Sequence, residues 1–350
     1  PENEDFLVFD TFTFDRDGSG NGPIEVTKYA TINANGKYYV TVELWSGVSL
    51  SGILDEREDN VIKVLNFDRS APAEITFGDN SGSISIDNTT INTVDNNTAE
   101  GYSSIALNKD AKGATVTATN TTINLTGSAC SDSKKAKVDA EGASITINGS
   151  TADVKITVAY ISYGDTYYSF ETLEAANEKA QAGETVVLIK DVTLSNILTL
   201  DKAITLDGNG HTLTSTATRA INVNCEGVVT IKNLTMVNGS NCERAINVIQ
   251  KKVTLTIENV VAEGFMYTVN VASSASAGTK VNVLNSILSG YSALNITGDD
   301  RVVTVKDSVL TSVNNYDTAS SNAYVTIFLE GNNITITTEG GKIVAIANGA

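Results

Sequence analysis

The chain has 350 residues, a formal charge of −17, a pI near 4.4 and a single histidine. That balance leaves no basic surface to neutralise nucleic-acid phosphates or to meet an anionic membrane, and no run of about 18 apolar residues is present to cross a membrane as a helix. His-rich metal sites are excluded, and Ser-His or Cys-His catalysis would rest on His211 alone.

Charged residues make up 19% of the chain, against about 25% in an ordinary globular protein. The polar surface must therefore come from Thr, Asn, Ser and Gly, which together with abundant Val and Ile is a strand-and-turn composition. The length suggests roughly two domains. The chain opens on Pro1 with no Met and no apolar signal core, and is read as a mature or truncated chain from which a signal or lipoprotein segment has been removed. Residues 1–22 are expected to form a flexible acidic segment.

Within that segment, Asp15-Arg-Asp17-Gly-Ser19-Gly-Asn21 places oxygen ligands at alternate positions, like the first half of a calcium loop. Val26 stands where the closing Glu of such a loop belongs. The calcium reading of Asp15, Asp17 and Ser19 is thus a looser site completed by Asp10 or Glu25, set against a plain Gly-rich acidic turn. No other cofactor is expected. The densest acidic group, Asp55, Glu56, Glu58 and Asp59 around Arg57, reads as a solvated loop.

Residues 23–158 read as an irregular β or β-helix segment. Ile86-Asp-Asn-Thr-Thr-Ile91 returns 32 residues later as Ala118-Thr-Asn-Thr-Thr-Ile123, and Ser144-Ile-Thr-Ile-Asn-Gly149 follows, its Asn148 28 residues after Asn120. Before residue 70 the periodicity fades to a general β pattern.

Residues 159–350 open on a helix. Ser169 is a candidate N-cap, Glu171 and Glu174 favour the first turns, and Gly183 ends the segment. Phe170, Leu173, Ala176 and Ala180 form one apolar stripe. A short amphipathic helix before a run of coils is the kind of cover that an open strand edge requires. Thr185–Ile189 then reads as a buried strand.

The repeats follow. Ala220-Ile-Asn-Val223 recurs as Ala245-Ile-Asn-Val248, Thr268-Val-Asn-Val271 and Ala293-Leu-Asn-Ile296, at steps of 25, 23 and 25 residues. A second marker keeps phase with it: Thr230-Ile-Lys-Asn233, Thr256-Ile-Glu-Asn259, Asn282-Val-Leu-Asn285 and Thr304-Val-Lys-Asp307. Each repeat holds three short alternating runs, too short for helical repeats. The fold class is all-β: a right-handed parallel β-helix with three strands per coil of about 25 residues and a short capping helix near 170–182. Ile221, Ile246, Val269 and Leu294 should form one buried column. By alternation, Asn222, Asn247, Asn270 and Asn295 should point outward. Asn233, Asn259, Asn285 and Asp307 fall at a strand end and suit a turn ladder.

Tyr163-Gly-Asp-Thr-Tyr-Tyr-Ser-Phe-Glu-Thr-Leu-Glu-Ala-Ala176, Ala182-Gly-Glu-Thr185, Lys190-Asp191 and Ile204-Thr-Leu-Asp-Gly-Asn-Gly-His-Thr212 resemble the capping module of right-handed parallel β-helix proteins. These have the pectin-lyase-like fold and are common among surface and adhesin-like proteins of anaerobic gut bacteria. The resemblance implies the fold and a place outside the cell; it does not imply one activity, because the same fold carries lyases, glycosidases, tailspikes and adhesins.

The catalytic equipment of the enzymes in that group is missing. Gly298-Asp299-Asp300 stands alone, with no following His and no Arg-Ile-Lys. With Pro1, Pro23 and Pro72 as the three prolines, no Arg-x-Pro-x-x-Arg stretch exists. His211 sits in a Gly-Asn-Gly-His-Thr junction and reads as structural. The three cysteines, Cys130, Cys225 and Cys242, form no C-x-x-C pair and give no zinc or redox motif.

The remaining lead is the outward column. Arg219 and Arg244 precede two consecutive Ala-Ile-Asn-Val strands, and Tyr267 and Ser292 hold the equivalent places in the next two coils, with Tyr291 adjacent. Amides, guanidinium forks and aromatic faces along a groove are what a glycan chain contacts. The candidate ligand-binding set is Arg219, Asn222, Arg244, Asn247, Tyr267, Asn270, Tyr291 and Asn295, with no catalytic residue assigned. The sequence reads as a non-catalytic, extracellular, monomeric surface protein, adhesin-like, with glycans or a host surface as partner. The alternative is a polysaccharide lyase or glycoside hydrolase with atypical catalytic residues.

Overall fold

The computed structural model describes residues 103–347 except 104, 108, 110, 127–134, 164–165, 241 and 315–323; before residue 103 it describes the backbone of eight strands. The calcium-loop residues Asp15, Asp17 and Ser19, the acidic group at 55–59 and Cys130 lie outside the described residues. The chain is all-β with one short helix and divides into two compact units, Pro1–Thr157 and Val158–Ala350.

In the first unit, Leu7–Phe14 pairs antiparallel with Ile24–Ile32, which pairs antiparallel with Tyr38–Val42. The segment read as an acidic tail thus contains a strand. From Tyr38–Val42 onward the pairing is parallel, through Asn60–Val64, Ser83–Asp87, Thr115–Thr119 and Ser144–Ile147. The repeat in the sequence is the register of the structure, since Ile86 faces Ala118 and Ile91 faces Ile123.

The second unit is a β-solenoid of about seven parallel turns. Its first ladder runs from Thr185–Leu188 through Thr205–Asp207 to Thr335–Glu339. The second runs from Val192–Leu194 to Lys342–Ala347, and the third from Leu198–Leu200 through Arg219–Val223 and Arg244–Val248 to Ile327–Glu330. Ile221, Ile246, Val269 and Leu294 are successive partners in the third ladder, and all four are fully buried. Burial of such a side chain stabilises by about 1.5–3 kcal/mol, so the interior columns supply most of the folding drive. Thr185–Leu188 alternates buried and half-buried positions, so one of its faces is turned from the core.

The corner between the first and second ladders is set by asparagine. Asn233, Asn259, Asn285 and Asp307 all adopt the left-handed conformation, with φ of 52°, 51°, 47° and 49°. Asn and Asp tolerate that region best among residues with a side chain. Asn259 Nδ2 donates to Asn233 Oδ1 at 3.2 Å, and Asn233 Nδ2 donates to Asp207 Oδ1 at 3.0 Å, so the turn ladder is real. Asn120 and Asn148 repeat the device in the first unit, at φ 50° each.

The N-terminal end of the solenoid is closed by a hairpin and a helix. Ala159–Tyr163 pairs antiparallel with Thr166–Phe170 and also with Thr185–Leu188, which occupies the first ladder's open edge. The helix is Leu173–Lys179, shorter than expected. Ser169 belongs to the hairpin strand, and the N-cap is Thr172, whose Oγ1 accepts from Ala175 N–H at 3.1 Å. Leu173, Ala176 and Ala180 bury the expected stripe on the end of the core, and Phe170 packs beside them half-buried. Lys202 Nζ donates to the carbonyls of Asn177 and Glu178, which ties the helix C-terminus to the first coil. At the other end, core-column positions Leu329 and Ile343 are 40% and 55% exposed.

Two expectations follow from the corner. Replacing Asn259 by Ala should cost roughly 1–2 kcal/mol, the strain of a β-carbon in the left-handed region, while Asn259→Gly should lose clearly less; chemical denaturation of both variants checks this. The second concerns Asp207. Burial pushes its carboxyl up, but hydrogen bonds from Asn209 N–H, Asn233 and Lys232, together with the Lys232 charge, outweigh that and hold it below the ordinary carboxylate value. A group lowered in the folded state stabilises fully above its unfolded pKa, about 3.9, and the contribution is lost as pH falls through the lowered value. The stability difference between wild type and Asp207→Asn should therefore be constant at neutral pH and shrink below about pH 4, read from denaturation midpoints across pH.

Candidate functional site

The candidate column is in register. Arg219 faces Arg244, Arg244 faces Tyr267, and Tyr267 faces Ser292. The asparagine column is in register too, and its side chains bond one another along the stack. Asn247 Nδ2 donates to Asn222 Oδ1 at 2.8 Å, Asn270 Nδ2 to Asn247 Oδ1 at 2.7 Å, and Asn295 Nδ2 to Asn270 Oδ1 at 2.5 Å. Asn247 and Asn270 are buried, while Asn222 and Asn295 are half-buried. At the spacing of stacked strands each middle rung is covered above and below by its neighbours. The middle of the expected exposed face, Asn247 and Asn270, is therefore an amide ladder inside the wall, while Asn222 and Asn295 at its ends are half-buried beside Arg219, Arg244, Tyr267 and Tyr291.

Of these, Tyr291 lines a cleft of about 490 Å³ at the corner between the second and third ladders. Its shape comes from an irregularity in the repeat. Ala262 faces Leu288, yet Phe265 faces Gly290, so the strand Val253–Val271 carries one residue more than Ile287–Thr297 at this point. Such a bulge bends the strand and re-aims its side chains. Glu263 and Gly264 form the bulge, with Gly264 at φ 82°. Phe265 is buried beneath the cleft, and Ser289, Gly290 and Tyr291 form the facing strand. A β-carbon on Gly290 would stand 2.7 Å from both the Phe265 carbonyl and the Thr268 hydroxyl, so a side chain is excluded there and the cleft stays open.

The backbone around it is pinned. Thr268 Oγ1 donates to Ser289 O at 2.9 Å, and Ser312 Oγ donates to Tyr291 O at 2.8 Å. Asn238 lines the cleft but is structural: its Oδ1 accepts from Cys242 N–H and its Nδ2 donates to the Cys242 and Gly264 carbonyls.

From the cleft a line of rings leads to the arginines. Tyr291 is 39% exposed and its ring lies 5.2 Å from that of Tyr324. Tyr324 lies 6.1 Å from Tyr267, and the Arg244 guanidinium sits 5.6 Å over the Tyr267 ring. Tyr324, Glu263 and Phe265 were not found by sequence reasoning. A signal for Tyr324 existed, since the third ladder's last step, Leu294 to Ile327, spans 33 residues where the others span 23 to 25.

The other candidates are structural. Gly298-Asp299-Asp300 is a turn, with Asp299 Oδ1 accepting from Asn332 and Asp300 Oδ1 from Asn333. Behind it lies Arg301, 2% exposed, which donates to the carbonyls of Thr297, Ser276 and Ala275. Burial lowers its pKa, opposed by the charges of Asp299 and Asp300. His211 lies at the corner between the first and second ladders, its Nδ1 3.5 Å from Asp191 Oδ1. The Cys225 and Cys242 thiols are buried, and burial raises the pKa of each, which suppresses the thiolate. Among the described residues, no group of three or more His, Cys, Asp or Glu side chains is placed to hold a metal ion, and no helix is long and apolar enough to cross a membrane.

No protein-family profile, no curated protein and no solved structure matches the chain.

If the amide ladder is scaffold, Asn270→Ala should leave the Asn247 oxygen and the Asn295 amide unpaired and cost about 2 kcal/mol. The check is the denaturation midpoint of the variant, together with a test that any ligand affinity is unchanged.

Proposed function

We propose that this protein is a non-catalytic glycan-binding β-solenoid, pectin-lyase-like and adhesin-like, working at an extracellular bacterial surface. The observation that carries the reading is the line Tyr291, Tyr324, Tyr267 and Arg244 running out of a pinned cleft. Sugar rings present apolar C–H faces and hydroxyl edges; aromatic faces take the former, and carboxylates, hydroxyls and backbone groups take the latter. Tyr291 and Tyr267 supply the rings, and Glu263 and Ser289 the polar partners. Arg219 and Ser292 stand three coils apart in one ladder, about 14 Å at the spacing of stacked strands, which is room for a short oligosaccharide. Each contact is modest, so useful binding needs many copies of the ligand, as a surface protein meeting a polymer or a cell would have.

Catalysis is disfavoured by the carboxylate count. Acid-assisted glycoside hydrolysis needs two carboxyl groups about 5–9.5 Å apart across the bond, and the cleft's described lining contains one, Glu263.

A glycan array followed by calorimetry tests the proposal. Wild type should bind at least one oligosaccharide, and Tyr291→Ala should weaken that binding by about tenfold with an unchanged melting temperature. Prolonged incubation with the bound polysaccharide should release no reducing ends and no unsaturated products. Product release abolished by Glu263→Gln would replace this reading with a lyase or hydrolase, and unaltered binding by Tyr291→Ala would remove the cleft from it.

A further inference from the structure

Arg219 and Arg244 form a like-charged pair on adjacent rungs of the third ladder. They begin consecutive strands and face each other directly, so their backbones stand one strand spacing apart, about 4.8 Å. The other charged residues that face each other across the second unit's ladders among the described residues have opposite signs: Asp207 and Lys232, Lys232 and Glu258, Lys306 and Glu339. Two guanidinium groups in this relation repel each other.

Their hydrogen bonding is incomplete as well. The Nε atoms of both arginines are buried and have no hydrogen-bond partner in the protein. Among the described residues the one carboxylate against the pair is Glu243, whose Oε2 lies 3.6 Å from Arg244 Nη1; it is half exposed, and it touches a terminal nitrogen. A buried donor left unpaired costs free energy. Arg244 is nevertheless held in place by the Tyr267 ring beneath it.

One species relieves the repulsion. An oxyanion set against the accessible terminal nitrogens of the two forks accepts from both guanidinium groups and screens the like charges, as arginine does for carboxylates and sulfates. We propose that Arg219 and Arg244 form an oxyanion subsite, so that the glycan taken at the neighbouring cleft carries a carboxylate or a sulfate ester at the residue reaching these two coils. This rests on the glycan reading of the cleft. The chain's charge of −17 repels polyanions at long range. Selection therefore acts at contact, and affinity should fall only weakly as salt rises, because screening reduces the long-range repulsion along with the local attraction.

The test is calorimetry with three matched ligands: a neutral galactan oligosaccharide, its sulfate ester and a uronate oligosaccharide. Wild type should bind at least one acidic form about 10- to 100-fold more tightly than the neutral one, the value of a charge-assisted hydrogen bond or two. Preference for the sulfate alone or the uronate alone identifies which group the subsite takes. The Arg219→Gln, Arg244→Gln pair should lose the preference, weakening acidic ligands by a larger factor than the neutral one; the Arg219→Lys, Arg244→Lys pair, which keeps charge without the fork, should keep only part of it. A wild type that binds all three equally, or a Gln pair that retains the preference, overturns the subsite while leaving the cleft as a glycan site. A separate readout covers failure of the glycan reading itself. Inorganic sulfate, compared with chloride at equal ionic strength, should raise the melting temperature of wild type more than that of either double variant; equal shifts in all three count against the subsite whatever the cleft binds.

Discussion

Stacked strands lie about 4.8 Å apart, and at that distance the nearest neighbour of each side chain is its counterpart one coil away. The second unit is organised by this constraint. A position that favours its own kind propagates: Ile221 on Ile246 extends a core column, and Asn247 on Asn222 extends an amide ladder. A position carrying charge is favoured by alternating sign, as at Asp207 and Lys232. Asn233, Asn259, Asn285 and Asp307 satisfy two demands at once, a left-handed corner and hydrogen bonding along the stack. The same logic makes Arg219 beside Arg244 conspicuous, because like charges in one column work against the packing that the rest of the solenoid exploits.

A stack also has ends, and the ends cannot be stabilised by repetition. At the N-terminal end the solution combines two elements. The hairpin strand Ala159–Tyr163 takes up the backbone groups of the first ladder's edge, and Leu173, Ala176 and Ala180 cover the apolar cross-section. Backbone pairing and side-chain burial are separate requirements, which is why neither the hairpin nor the helix would serve alone.

Ligand-sized features arise where the repeat is broken. Identical coils make a smooth wall. One extra residue at Glu263-Gly264 bends one strand away from its neighbour, Gly290 keeps the gap open, and a longer connection brings Tyr324 against Tyr267 and Tyr291. The regular coils on either side hold these irregular groups rigid, with Thr268 and Ser312 pinning the backbone beneath them. Scaffold and site are thus built from opposite kinds of sequence, one repetitive and the other locally exceptional.

The solenoid, its period, its buried column and its corner asparagines were legible in the amino-acid sequence, because in a stack sequence repeats translate directly into spatial neighbours. Ile246 lies against Ile221 for the same reason that they occupy the same place in the repeat. The capping stripe was legible from helical spacing, although Thr172 rather than Ser169 caps the helix, since pairing with Ala159–Tyr163 claims Ser169 for a strand. Alternation placed Asn247 and Asn270 on the outer side of their strands, but only the tertiary structure showed that they are buried there, because covering by adjacent rungs depends on all the coils at once. The cleft was decided by the tertiary structure as well. A bulge of one residue and a tyrosine brought in from a long connection leave no periodic trace, and their meeting with Tyr291 follows from which coils the chain stacks around them.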